Sequence, residues 1–276
     1  DLSVSINEYK KNLLSLDPEY MKHTNAELEK LPENVKQARE ELGKKLVEFQ
    51  KEYEAIALKA QMIDYANKTW KGKRLEDALR VAGNIKSLKA SFDVSFLRQL
   101  QSVALSGQIQ SFGNAMITGY NVFFSKDINW SDTVMAELLT RPNALANRYH
   151  DFGIEVGIKE EAFPESWVAQ AIGDKQLNIF RRSEAAYNTA IQYARANLFD
   201  WMWEQSNGDI KLLRQQDVGK AINILTGRGS VPILTPNDPQ TQRIMNNLLF
   251  APKWLASRIQ TLTDIRFAFK SGNKIT

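Results

Sequence analysis

NVKQAREELGKKLVEFQKEYEAIALKAQMIDYAN, residues 34–67, decides the fold. Apolar side chains recur at Val35, Ala38, Leu42, Leu46, Phe49, Tyr53, Ile56, Ala60 and Ile63, at spacings of 3, 4, 4, 3, 4, 3, 4 and 3. A helix of about 3.6 residues per turn presents such a set as one stripe, and the doubled 4 is the only slip from a heptad rhythm. The other faces are crowded with charge: Glu40, Glu41, Lys44, Lys45, Glu48, Lys51 and Glu52. Glu40–Lys44 and Glu41–Lys45 have helix-supporting i,i+4 spacing, whereas Glu48–Glu52 is repulsive. A helix this long reaches about 50 Å, more than one globular core needs. It is expected either to fold back into an antiparallel hairpin with a neighbouring helix or to dock on another subunit.

Outward from this stretch the punctuation stays helical. Upstream, Asp17-Pro18-Glu19 reads as a helix start, with Pro at the first helical position and an acid in the first turn. Thr24 and Glu27 have capping-box spacing, and Pro32 closes that short helix. Downstream, Trp70-Lys71-Gly72-Lys73-Arg74 breaks the long run. Helical patterns follow at 96–105, 108–124 and 132–139, and Arg141-Pro142-Asn143 opens another helix with Pro near its start. Gly113 and Gly119 weaken the second pattern by about 1 kcal/mol each relative to Ala. The segment from Phe152 to Ile158 alternates like a strand, but its two glycines favour a loop. Ser183 is read as the cap of a helix carrying Tyr187, Ile191, Ala194, Leu198, Phe199 and Met202 on one face, stopped at Gly208-Asp209. A short helix from Val218 to Leu225 ends at Thr226-Gly227-Arg228-Gly229. Two more helices are expected at 240–250 and 252–262. The fold class is therefore all-α: a long N-terminal helical arm or hairpin over 1–88, then a multi-helix globular domain over 89–276.

Apolar residues make up 43% of the 276, enough to bury a core. No apolar run approaches the ~18 residues of a membrane span, so no stable span is expected. The chain has no Cys, which excludes disulfides and thiolate metal sites. Beginning at Asp1, it reads as a processed product, a trimmed piece or part of a longer protein. The net charge of +4 is uneven. Residues 1–90 carry 17 basic and 15 acidic side chains, residues 91–175 carry 6 and 10, and residues 176–276 carry 13 and 7. Such asymmetry points to different partners for different parts of the chain.

The search for chemistry is negative. His23 and His150 stand far apart, with no second His or Cys at ligand spacing. Gly227-Arg228-Gly229-Ser230 lacks the spacing and Gly-Lys pair of a phosphate loop, and reads first as a helix C-terminal cap. Adjacent carboxylates such as Glu160-Glu161 mean nothing unless a fold sets them across a cleft. No catalytic residue, metal ligand or cofactor-binding residue is assigned, and no enzymatic activity or cofactor is expected. The residues left with a reading are cationic or aromatic. Lys71, Lys73, Arg74, Arg228 and Arg258 are candidate contacts for nucleic acid or another anion. Trp201, Trp203 and Trp254 are candidate core or interface aromatics.

Several segments resemble, in order, a helical region near the C-terminal end of the large polyvalent proteins of bacteriophages and mobile elements. They are Lys89-Ala90-Ser91-Phe92-Asp93-Val94-Ser95 with Arg98-Gln99; Arg141-Pro142-Asn143; Arg182-Ser183-Glu184-Ala185-Ala186-Tyr187; and Ala194-Arg195-Ala196-Asn197-Leu198-Phe199-Asp200. Two further stretches are Ala221-Ile222-Asn223-Ile224-Leu225-Thr226-Gly227-Arg228-Gly229 and Asn246-Asn247-Leu248-Leu249-Phe250-Ala251-Pro252-Lys253-Trp254-Leu255-Ala256-Ser257-Arg258. Thr-Gly-Arg-Gly and Phe-Ala-Pro with Ala-Ser-Arg are the most specific parts, and residues 1–88 lie outside the resemblance. It implies a protein packaged in a phage particle and delivered with DNA, located in the virion and then in the host cytoplasm. Enzymatic modules of that family lie elsewhere in the chain, so no catalytic residue carries over. The expected function is a non-enzymatic structural or interaction component of the particle, internal or ejection-associated. Its expected partners are other virion proteins or further copies of itself. The alternative is a nucleic-acid-binding helical module of a mobile-element protein, with DNA as partner.

Overall fold

The computed structural model describes residues 2–67, 69–70, 100–104, 107–125, 130–154, 156–157 and 174–228. Among the described residues every regular element is helical, so the protein is all-α. Helix α1 (Leu2–Leu16) is followed by a 3₁₀ turn (Tyr20–Lys22), the short α2 (Asn25–Leu28) and the long α3 (Glu33–Asn67). Then come α4 (Ile109–Phe124), α5 (Trp130–Leu139), the single turns α6 (Pro142–Leu145) and α7 (Arg148–Asp151), and a second long helix, α8 (Asp174–Gln205). Helices α9 (Ile210–Gln215) and α10 (Val218–Leu225) complete the described part.

Local chemistry sets most of these boundaries. The capping box forms as its spacing implies: Glu27 Oε2 accepts from the Thr24 backbone N–H at 2.7 Å, and α2 starts there. Pro32 lies at the mouth of α3, where its carbonyl accepts from Val35 and Lys36. Arg141 precedes Pro142 at the first position of α6. At the end of α10, Gly227 takes φ +90°. Its N–H donates to the Ile224 carbonyl, and the Arg228 N–H donates to the Asn223 carbonyl at 2.6 Å. These paired bonds make a Schellman cap, so the glycine does here what only glycine does without strain. The segment after Phe152 is a turn rather than a strand, with Gly153 and Gly157 both at positive φ.

Two sequence expectations are corrected, and one helix is added. Ser183 is not a cap: α8 already begins at Asp174, nine residues earlier, and Ser183 is a buried mid-helix residue. Asp17-Pro18-Glu19 does not open an α-helix. Asp17 Oδ1 instead accepts from the Glu19 N–H at 3.1 Å, a local turn that leads into the 3₁₀ segment. Residues 2–16, given no element above, form α1, with Ile6, Tyr9 and Leu13 supplying its apolar side. The helices expected at 240–250 and 252–262, and the break around 70–74 past Trp70, lie outside the described residues.

The apolar interior falls into two clusters. The first gathers Leu13, Tyr20, Leu28, Leu31, Val35, Ala38 and Leu42 from the N-terminal helices, together with Leu145 of α6. The second is built on α8, whose Ala190, Ile191, Ala194, Leu198 and Phe199 meet Ala115 of α4, Leu138 of α5, Tyr149 of α7 and Ile222 of α10. The α4–α8 pair is the most extensive in the fold, followed by α1 on α3 and α3 on α5. Where α3 crosses α5, Gly43 lets the backbones close up. A Cβ there would stand 2.9 Å from the Ala136 Cβ and 3.1 Å from its carbonyl oxygen. Glycine is costly inside a helix; the close crossing gives the position its reason.

Candidate interaction surface

Between the two clusters sits a buried polar node centred on Asp200 of α8. Its side chain and that of Arg141 are only 4% and 3% exposed. Arg141 Nη1 donates to Asp200 Oδ2 at 2.9 Å and Asn25 Nδ2 donates to the same oxygen at 2.7 Å. Asn143 Nδ2 and the Tyr149 hydroxyl donate to Oδ1 at 2.7 and 2.8 Å. One carboxylate thus takes four donors from α2, the α5–α6 junction, α6 and α7. Arg141 also grips Glu137 of α5 with two nitrogens, Nε to Oε1 at 2.9 Å and Nη2 to Oε2 at 3.3 Å, and donates to Asn197 Oδ1 at 2.8 Å. Burial alone would lower the Arg141 pKa, but the charges of Glu137 and Asp200 outweigh it and raise the guanidinium's pKa well above its usual range. Burial, with Asp200 beside it, likewise pushes the Tyr149 phenol far up and keeps it a donor.

The node continues outward through Arg148. Its Nη1 donates to Asn143 Oδ1 at 2.8 Å, and its guanidinium lies 4.2 Å from the Trp203 ring centroid. A second buried cation, Arg195, donates from Nε to Thr226 Oγ1 at 2.8 Å and from Nη2 to the Thr226 carbonyl at 3.4 Å. Segments quoted above as separate motifs therefore meet in space. Arg-Pro-Asn at 141–143 joins Asn197 and Asp200, and Arg195 joins the Thr-Gly-Arg turn. The groups face one another inside the fold, so the chemistry they perform is positional: they lock α6, α7 and α10 onto α8.

Of the expected anion contacts, Arg228 is the described one. It is half-buried directly after the α10 cap, and desolvation lowers its pKa to about 10. Lys71, Lys73, Arg74 and Arg258 lie outside the described residues, as does Trp254. Trp203 packs inward, stacked on Phe199 with ring centroids 6.0 Å apart and capped by Arg148. Trp201, one residue before Met202, points the other way and is exposed. His23 Nε2 pairs with Asp17 Oδ2 at 2.7 Å, and His150 stands in solvent. Among the described residues no three His, Asp or Glu side chains converge as a metal site. A groove of about 900 Å³ between α3 and α5 is walled by both signs of charge. Two of its lysines are already paired, Lys44 with Glu40 at 2.7 Å and Lys51 with Asp132 at 2.6 Å.

The described surface also carries exposed apolar side chains. The α3 stripe changes character along its length. Val35, Ala38 and Leu42 are 2%, 4% and 0% exposed, whereas Phe49, Tyr53, Ile56 and Ile63 are 43%, 69%, 65% and 63% exposed. Helix α1 covers the first half and nothing described covers the second. Helix α4 shows a similar division: Ala115, Gly119 and Val122 are buried, while Ile109, Ile117, Tyr120 and Phe124 on the outer face are exposed. Tyr120 and Phe124 pack on each other there, with ring centroids 4.5 Å apart. Trp201 and Trp203 were the expected core or interface aromatics, and the α3 stripe was expected to pack within the chain or on another subunit; the outer face of α4 had no such reading. The i,i+3,i+4 spacing on α3 was visible; which half α1 would cover was not. No helix among the described residues is long and apolar enough to cross a membrane. Comparison with protein-family models, with curated proteins and with solved structures finds no match.

Proposed function

We propose that this chain is a non-enzymatic structural or interaction component of a bacteriophage particle, internal or ejection-associated, delivered with DNA and acting through helix surfaces. One observation carries the interaction part: the outer half of α3 and the outer face of α4 present long apolar side chains to solvent. Contiguous apolar surface of this kind marks association sites in proteins that otherwise bury such groups. The inward-facing node supports the same reading, since the buried charges near α8 are satisfied within the fold and hold it rigid. The particle part rests on the resemblance of residues 89–260 to the polyvalent-protein region. Mass spectrometry of purified particles from the encoding phage or element is the test. The protein should be present at several copies per particle, and particles that never contain it would refute the proposal.

The nucleic-acid reading has less support. The one described cation of its five, Arg228, is half-buried rather than displayed. If DNA is the partner, retention should fall steeply with salt, by powers of ten between about 50 and 200 mM for six or more phosphate contacts.

A further inference from the structure

We propose that the exposed half of α3 is a self-pairing seam, on which a second copy of this chain docks its own α3 antiparallel. The inference rests on the interaction reading above and names its partner. From Phe49 onward the spacing is 4, 3, 4, 3 through Tyr53, Ile56, Ala60 and Ile63, a coiled-coil rhythm with no slip. The same stripe, one turn earlier, is already a helix-packing surface, because Leu42 lies in the core shared with α1 and Leu46 packs against it. The exposed seam is therefore continuous with an established helix–helix contact and has the geometry to continue it.

Charge fits an antiparallel orientation and supplies the substitutions that test it. In an antiparallel pair about a two-fold axis midway between Glu54 and Ala55, Phe49 faces Ala60 of the second copy and Tyr53 faces Ile56 of the second copy. Ion pairs in this arrangement form between flanking residues two further along the combined register. That places Glu52 beside Lys59 of the second copy, and by symmetry Lys59 beside Glu52 of the second copy. Both side chains are exposed, and neither takes part in an ion pair or hydrogen bond among the described residues. Neither has an opposite charge three or four residues away on its own helix. The two residues are thus an unpaired complementary set flanking an unpaired apolar seam. A parallel pair in register sets Glu52 against Ala57 and leaves its charge unanswered, while it sets Lys59 against Asp64, so joint reversal of Glu52 and Lys59 restores the antiparallel pair and not the parallel one.

The size of the seam sets the affinity. The exposed parts of Phe49, Tyr53, Ile56 and Ile63 come to about 450 Å² per copy, or roughly 900 Å² for the pair before the flanking residues are added. This lies just under the ~1,200 Å² lower bound of standard stable complexes. The expected dimer is therefore isologous and reversible, with a dissociation constant of about 1–100 μM.

Sedimentation equilibrium of the full chain over a concentration series tests this directly. Wild type should pass from monomer to dimer. Ile56→Glu should remain monomeric, with an unchanged far-UV CD spectrum because the site is exposed. Glu52→Lys and Lys59→Glu should each weaken the dimer about tenfold, since each turns two attractions into two repulsions. The double reversal Glu52→Lys with Lys59→Glu should restore it. A wild type that stays monomeric to about 1 mM, or a dimer indifferent to the single reversals, would overturn the seam. Neither result would touch the particle reading, which depends only on the protein's presence in purified particles.

Discussion

Replacing Asp200 by Asn tests the claim that α8 is held by a charged, fully paired node. The substitution keeps the volume, so no cavity contributes. It removes the negative charge facing Arg141 and puts an NH₂ group where a carboxylate oxygen accepted two hydrogen bonds. If that NH₂ replaces Oδ1, Tyr149 can rotate its hydroxyl and accept. Asn143 cannot follow, because turning its amide breaks the 2.8 Å bond it accepts from Arg148. If the NH₂ replaces Oδ2, it meets Arg141 Nη1 and Asn25 Nδ2, two donors with no acceptor lone pair to offer. The first orientation wins, and it leaves one buried donor orphaned at a cost of about 1–3 kcal/mol. Breaking one side of a buried ion pair costs about 3–5 kcal/mol. Glu137 still holds Arg141, which places the expected total near the lower end, about 3 kcal/mol. Urea unfolding followed by far-UV CD reads this as a lower midpoint at unchanged slope. The double substitution Arg141→Met with Asp200→Leu should cost less than the two single changes combined, by about 1–3 kcal/mol, because it leaves no lone charge. A loss under about 1 kcal/mol for Asp200→Asn, or strict additivity in the cycle, would refute the reasoning.

Tyr20 gives a pH signature. Its hydroxyl donates to the Thr140 carbonyl at 2.8 Å, and burial, opposed by Arg39 and aided by Glu137 and Asp17, pushes its pKa from 10.0 to about 12. The stabilisation is complete below the unfolded value and is lost as pH rises from 10 through 12; by linkage it amounts to about 2.7 kcal/mol. Chemical denaturation between about pH 9 and pH 12 should therefore show a steeper loss for wild type than for Tyr20→Phe. Gly219→Ala should destabilise by more than about 3 kcal/mol, because a Cβ there would lie 1.7 Å from the Phe152 carbonyl oxygen and the backbone of α10 must move. Gly113→Ala, on α4 with nothing within 4 Å of the added Cβ, should raise the thermal midpoint through a gain of up to about 1 kcal/mol. Thr226→Val keeps the shape but removes the oxygen that accepts from Arg195 Nε and donates to the Ile222 carbonyl at 2.8 Å each. A cost of about 1–3 kcal/mol in the same urea titration is expected.

The helical class was legible because its signals are local. A capping box, a Pro at a first turn and a Gly at a last turn each act within four or five residues, and Thr24–Glu27, Arg141-Pro142 and Thr226-Gly227 all act as read. Ser183 misled because a serine can cap or sit inside a helix, and in the nine residues before it, Asp174 to Arg182, the apolar groups Leu177, Ile179 and Phe180 are too closely bunched to announce about two and a half turns of extra helix. The polar node was hidden for a different reason. Arg141 and Asp200 are 59 residues apart, and pairing across such a gap is decided by the packing of α6 on α8. A trace of it was nonetheless present. Arg195 and Asp200 interrupt the run Ala194–Trp203 on a helix whose other residues there are mostly apolar, and a charge inside a buried run demands a partner.

Helix α3 shows where reading a stripe stops short. The apolar rhythm from Val35 to Ile63 is uniform, and uniform rhythm implies uniform cover. Cover, however, is set by the covering helix. The 15 residues of α1 span about 22 Å at 1.5 Å per residue, against about 52 Å for the 35 residues of α3. Helix α1 lies over the part from Val35 to Leu46 and runs out near Phe49, which is half covered. Helix α5 cannot take over, because it meets α3 on the opposite side, at Gly43 and at the Lys51–Asp132 pair. The two expectations for the long helix, packing within the chain and a subunit contact, therefore do not exclude each other, because α1 is too short to use the whole stripe. The packing of α1 uses the first half of the stripe. What it leaves bare is about two heptads of seam with an unanswered Glu52 and Lys59 at its edge.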